Sequence, residues 1–196
     1  AFMEPVTWFL TGMEKHSDER RGDLLGNTQA FVDAMVYHMS RFQYPSLMVS
    51  MNELSNHDHS RFLTRTNQMV GRIQTAGPEK AGQNIKPCVF REAVVIQMTW
   101  PGAPTLYYGD EAGVCGWTDP DCRRTYPWGR EDRDLLAWFT RLGALRNAYP
   151  ALQSGTISWL YTAGPLLIFA RQNGDQRLTT AVNASPDSHT VTLLWE

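Results

Sequence analysis

Cysteine is scarce. The three present, Cys88, Cys115 and Cys122, are odd in number, form no C-x-x-C pair and have no companion histidine at zinc spacing. That pattern argues against a disulfide framework or a zinc module, and free thiols suit a reducing, cytoplasmic setting better than a secreted one. Long apolar runs are missing too: none approaches the roughly 18 residues of a membrane span, so no membrane partner is expected. Basic residues are not in excess. With 18 Lys and Arg against 20 Asp and Glu the net charge is −2, and such a chain lacks the positive surface that neutralises phosphates, so no nucleic-acid partner is expected. Repeats and low-complexity stretches are absent. The opening "AFMEPVTWFL" has no initiator methionine and no basic n-region, so it is not a signal peptide as it stands and reads as the middle of a longer chain.

What remains is a globular composition. The 196 residues are 42% apolar, enough core for one domain of moderate size. Seven Trp and seven Tyr mostly serve such a core, but flat apolar faces also stack on sugar rings.

Periodicity divides the chain. Residues 24–40 and 89–100 carry apolar residues at helical spacing, and 131–149 places Leu135, Trp138, Phe139, Leu142 and Leu145 on one stripe, with acids in its first turn and Pro150 as its stop. "SLMVSMNEL" (46–54) and "TLYY" (105–108) read as strands, the second buried on both sides. From 151 the pattern changes to short β-rich runs, "TISWLYTA", "PLLIFARQ", "QRLTTAVN" and "HTVTLLWE", separated by turn residues. Alternating helix and strand over 1–150, followed by an all-β segment over 151–196, predicts an α/β fold with a β appendage.

Two polar clusters follow the predicted strands, where functional residues of parallel α/β folds collect. In "LSNHDHSRF" (54–62), Asn56, His57, Asp58, His59 and Arg61 suit a sugar-contacting loop, a histidine–aspartate metal pair or a solvated turn. In "DPDCRR", Asp119 and Arg123 are four apart, close enough to form an ion pair or to grip neighbouring hydroxyls.

Taken in order, "LSNHDHSRF", "GAPTLYYGDE" and "DPDCRRTYPW" resemble the last signature segments of the α-amylase family of glycoside hydrolases, nearest to its neopullulanase, cyclomaltodextrinase and maltogenic amylase group. The opening "EPVTWFLTGMEKHSDERRGDLL" resembles the region between that family's sixth and seventh barrel strands. The resemblance implies the C-terminal part of a (β/α)8 TIM barrel, about strand six to helix eight over 1–150, then the start of a C-terminal β domain over 151–196. It implies an α-glucan substrate. Asp58 matches the third carboxylate of the family's trio, which binds the 2- and 3-hydroxyls and favours ring distortion. His57 matches a donor to the same sugar, and Asp119 and Arg123 match the pair that holds the next sugar. Arg61, Tyr108 and Gly109 match supporting positions. Asp110 and Glu111 read as structural, and Trp100, Trp117 and Trp128 as candidates for stacking. No metal ligand is assigned and no cofactor is expected; calcium is possible, but no Asp/Asn-rich loop indicates it.

Retaining glycoside hydrolysis needs a nucleophile and an acid/base about 5 Å apart. The family carries them in G-x-R-x-D and G-E-x-W-like contexts, and neither occurs here. Glu4 lacks the flanking pattern. The expectation is therefore an inactive fragment that docks with a missing N-terminal half of the barrel or with a second copy, because a half-barrel leaves strand edges and apolar faces open. The alternative is a non-catalytic carbohydrate-binding module.

Overall fold

The computed structural model describes residues 2–193. Helix α1 (Met3–Thr11) is apolar nearly all round and accordingly buried on nearly every side. Its two threonines hide their hydroxyls by donating to the carbonyls four residues back, Thr7 to Met3 and Thr11 to Thr7. Gly12, in the left-handed conformation at φ 65°, ends it. Helix α2 (Thr28–Met39) is capped by Asn27, whose side chain accepts from the Ala30 N–H, and it turns Phe31 and Met35 inward.

The segment expected as one strand over 46–54 is instead a short helix, α3 (Tyr44–Met48), and a three-residue strand, β1 (Met51–Glu53). Pro45 in the first turn of α3 supplies a φ preset for a helix start. β1 pairs in parallel with β2 (Ala103–Thr105), in the register Met51 to Ala103 and Glu53 to Thr105. The strand expected at 105–108 is likewise displaced: pairing stops at Thr105, and Leu106 and Tyr108 are exposed rather than buried on both sides. A doubly buried strand needs neighbours on both flanks, and among the described residues β2 has one. Short helices α4 (Phe62–Arg65) and α5 (Ile73–Ala76) follow β1. Helix α6 (Pro87–Thr99) then returns to β2, and its buried Gln97 donates to Asn52 O at 2.9 Å and Thr105 O at 3.0 Å, tying the two strands together.

Helix α7 (Arg133–Ala148) packs on α6 and starts at Asp132, whose carboxylate accepts from the Leu135 N–H. Helix α8 (Pro150–Ser154) leads into an antiparallel sheet of β3 (Thr156–Ala163), β4 (Leu166–Asn173) and β5 (Gln176–Asn183), nearly the three runs expected. The fourth run is not a strand over 189–193, and its remainder, 194–196, lies outside the described residues. Asn183 and Ser185 explain the break, because their side chains bond the backbone of 185–187 into a turn that ends the ladder. One core joins both parts: ring centroids run Phe9 to Phe31 at 4.8 Å, Phe31 to Trp100 at 5.7 Å and Trp100 to Phe169 at 5.2 Å. No helix among the described residues is long and apolar enough to cross a membrane.

Candidate active site

The two polar clusters leave the C-terminal ends of β1 and β2, and the fold brings them together. Asn56 organises the first loop. Its Oδ1 accepts from the backbone N–H of Asp58 at 3.0 Å and of His59 at 3.1 Å, while its Nδ2 donates to Glu53 Oε1 at 2.8 Å. That arrangement is an Asx turn, and it projects the next two side chains outward. His57 and Asp58 are 66% and 61% exposed, with Nε2 and Oδ1 3.5 Å apart. The second loop docks onto the first. The Asp119 N–H donates to Asp58 O at 3.4 Å, and Arg123 Nε donates to His57 O at 3.2 Å. Arg123 Nε also lies 2.7 Å from Asp119 Oδ1. His57, Asp58, Asp119 and Arg123 therefore form one open polar surface. It carries two carboxylates, a guanidinium and an imidazole, donors and acceptors in the mixture that vicinal hydroxyls need.

Beneath that surface lies Arg61, fully buried. Its Nε donates to Cys122 O at 2.8 Å, and its Nη1 donates to Tyr108 O at 2.7 Å and Asp110 Oδ1 at 3.0 Å. The guanidinium faces the rings of Tyr107 and Tyr108 at 4.0 and 5.0 Å. One side chain thus joins the loop after β1 to both halves of the loop after β2. Burial raises the Asp110 pKa while Arg61 opposes the rise. Gly109 sits at φ 86°, where a Cβ would meet the Val114 side chain at 2.7 Å, so the tight exit from β2 requires glycine. Tyr108 donates its hydroxyl to Arg124 O at 3.0 Å.

Several residues were not singled out from sequence. Arg65, buried without a carboxylate partner, donates to Leu54 O and Ser60 O and fixes both ends of the 54–60 loop. His16, from the loop after α1, stacks on His59 with ring centroids 4.6 Å apart. A charge-plus-aromatic pattern does not signal the His16–His59 contact, because it arises between segments far apart in sequence. Of the three tryptophans considered for stacking, Trp100 and Trp117 are core residues, and Trp128 is 81% exposed beside Tyr126. Glu4 lies on α1, 3.8 Å from Lys15.

Glu14, His16 and Asp18 bring ligand atoms within 4.8 Å of one another. A cation fits poorly there. Both Asp18 oxygens already bind the Arg72 guanidinium, and Glu14 Oε1 accepts from His16 Nδ1 and its backbone N–H.

The chain matches the model of the α-amylase catalytic domain over residues 10–133. It is 36% identical over 159 residues to an amylopullulanase of Thermoanaerobacter thermohydrosulfuricus, covering 79% of this chain and 10% of that protein. It is 34% identical over 160 residues to neopullulanase 2 of Thermoactinomyces vulgaris, covering 79% of this chain and 24% of that protein. The structure superposes on a debranching enzyme from Nostoc punctiforme with a TM-score of 0.77 and 26% identity, covering 98% of this chain and 37% of that one. This chain therefore spans a quarter or less of the two curated relatives. Its two parallel strands and flanking helices are part of a (β/α)8 barrel, its antiparallel sheet opens a β domain, and the chain belongs to the α-amylase family of glycoside hydrolases.

Proposed function

We propose that this chain is the C-terminal part of a retaining α-glucan hydrolase that cleaves α-1,4 or α-1,6 links in maltodextrins, cyclodextrins or pullulan. In this reading 1–150 complete the barrel and 151–196 begin the C-terminal β domain. The observation that carries it is the meeting of two loops at the C-terminal ends of adjacent barrel strands, with His57 and Asp58 beside Asp119 and Arg123. Asp58 accepts from the 2- and 3-hydroxyls of the sugar whose bond breaks, an interaction that tightens as the ring flattens toward an oxocarbenium ion. His57 donates to the same sugar, and Asp119 and Arg123 hold the next one. The chemistry needs two carboxyls, neither supplied here, and no cofactor.

The partner in this reading is the N-terminal half of the same barrel. Both outer flanks of the β1–β2 pair are unpaired among the described residues, and Val49, Met51 and Leu106 are exposed along them at 73%, 60% and 46%. Met51 also lines a cleft of about 320 Å³, together with Phe2, Met35, Met39, Phe42 and Trp100. Such edges and patches are covered in stable folds.

The test is hydrolysis of maltotriose, cyclodextrin and pullulan by the longer polypeptide that carries this chain, beside its Asp58→Asn variant and this chain alone. The reading expects products from the first only, with Asp58→Asn slower by on the order of 10³-fold. Glucan binding without turnover by the long form would instead mark a binding module. Turnover by the isolated chain would place nucleophile and acid among its own carboxylates.

A further inference from the structure

His57 and Asp58 are the exposed tip of their loop, and the next residue, the half-buried His59, has no part in the sugar contacts proposed above. Its ring nitrogen Nδ1 lies 2.6 Å from Asn56 Oδ1, the same oxygen that accepts the backbone N–H of Asp58 and of His59. A carbonyl oxygen has no proton to give, so Nδ1 carries the hydrogen and donates. Asn56 is itself held from behind by Glu53 Oε1. On its far face the His59 ring stacks against His16 at 4.6 Å with planes 30° apart. His16 is fixed in turn by Glu14 Oε1, 2.7 Å from its Nδ1. One residue further along each loop, the hydroxyls of Ser17 and Ser60 meet at 2.9 Å, both buried, and Ser60 also donates to Lys15 O.

Resting on the reading of Asp58 given above, we propose that Asn56 and His59 are positioning residues that set where the Asp58 carboxylate stands, with His16 as the brace that holds His59 in place. Three donors converge on one Asn56 oxygen, so loss of the imidazole removes one of the contacts that fix the side-chain amide and loosens its hold on the Asp58 backbone. Burial above all, with His16, Arg65 and Lys15 nearby, lowers the His59 pKa to about 4 and keeps the ring neutral, while Asp58 pulls weakly the other way. A neutral ring with its hydrogen on Nδ1 is the form this brace requires.

Because Asp58 contributes most at the transition state, misplacing it lowers kcat more than it raises KM. The experiment uses the longer polypeptide that carries this chain, with maltotriose as substrate. His59→Leu removes the donor but keeps bulk, and it is expected to lower kcat by about ten- to a hundredfold with KM within about twofold. His59→Asn, which keeps an N–H near the place of Nδ1, is expected to recover most of the loss. A purely structural role predicts a lower Tm with unchanged kcat per folded molecule, and that result would overturn the inference, as would failure of Asn to outperform Leu. Should His59→Leu not fold, His16→Ala decides, since it removes only the brace: a fall in kcat of at least about threefold supports the inference and no fall overturns it. Asp58→Asn runs alongside. If it turns over normally, the reading of the site fails. If it is inactive while the His59 variants match the unmutated protein, this inference alone fails.

Discussion

Arg61 Nη1 lies 3.0 Å from Asp110 Oδ1, and both side chains are shut off from water, at 0% and 6% exposure. The pair connects the loop after β1 to the loop after β2 at the point where both turn toward the open polar surface. A buried pair of this kind adds little over an apolar replacement of both partners, but losing one partner leaves the other charged and dry. Arg61→Leu is therefore expected to cost about 3–5 kcal/mol in equilibrium unfolding. Lysine does not rescue it, because a single ammonium cannot serve Cys122 O, Tyr108 O and Asp110 along the directions of the guanidinium. The double variant Arg61→Leu with Asp110→Leu is expected to regain part of the loss. A double variant no better than the single one would mean that the carbonyls, not the carboxylate, dominate.

Asp119 and Arg123 behave oppositely. Their 2.7 Å pair is 48% exposed on each side, and such pairs contribute less than about 1 kcal/mol to stability. Under the function proposed above, Asp119→Asn and Arg123→Gln are expected to leave the urea midpoint nearly unmoved while raising KM for maltodextrins at least tenfold in the proposed full-length enzyme, about 1.4 kcal/mol of binding. A large loss of stability with unchanged KM would assign the pair to loop structure instead.

How far the sequence foretells these results depends on the distance over which each signal acts. The helix ending at Ala148 and the strands at 156–163 and 176–183 follow from local periodicity and turn residues, so they are legible. Residues 46–50 and 106–108 are not, because their apolar content suits a strand only where neighbours pair with it, and pairing here spans three residues of each barrel strand. The clustering of Asp58 with Asp119, 61 residues apart, is signalled by both loops following predicted strands and by the order of the motifs, not by any local period. The His16–His59 stack and the burial of Arg65, which also donates to Thr7 of α1, are not legible, for each is made between segments that only the fold brings together.

Glu92 on α6 gives a pH test. Burial pushes its carboxyl up from 4.5 to about 7. A raised acid binds its proton more tightly in the folded state, so this residue favours folding below about pH 4.5. That advantage is lost as pH rises toward 7, and the ionised form then disfavours folding. Glu92→Gln is expected to match the unmutated chain at pH 4 and to exceed it at pH 8 by about 1 kcal/mol, a figure reduced for the partial exposure of the group. Thermal melts at the two pH values measure this, and equal differences at both would remove Glu92 as the cause.

Arg171, on β4, is buried among backbone carbonyls. It donates from Nη1 to Thr99 O at 2.7 Å, and from Nε and Nη2 to Gly155 O at 3.2 and 2.8 Å. Those acceptors are the last residue of α6 and the residue that leaves α8, so one guanidinium fastens the sheet to the helices. Burial lowers its pKa to about 10, which leaves it charged at neutral pH. Gly155 admits no side chain, since a Cβ would stand 2.4 Å from Ala151 O and 2.5 Å from Gln172 O. Arg171→Met keeps the apolar stem, removes the three donors and strands Thr99 O, while Gly155 O keeps the Tyr44 hydroxyl as a donor, a loss of about 1–3 kcal/mol. The Trp100–Phe169 contact remains in that variant. Limited proteolysis is therefore expected to cut between 153 and 156 at least tenfold faster, on the order of the population shift that 1.4 kcal/mol brings, while far-ultraviolet circular dichroism stays close to that of the unmutated chain. Cutting at the original rate would mean that aromatic packing alone holds the sheet in place, and Trp100→Ala would then have to release it.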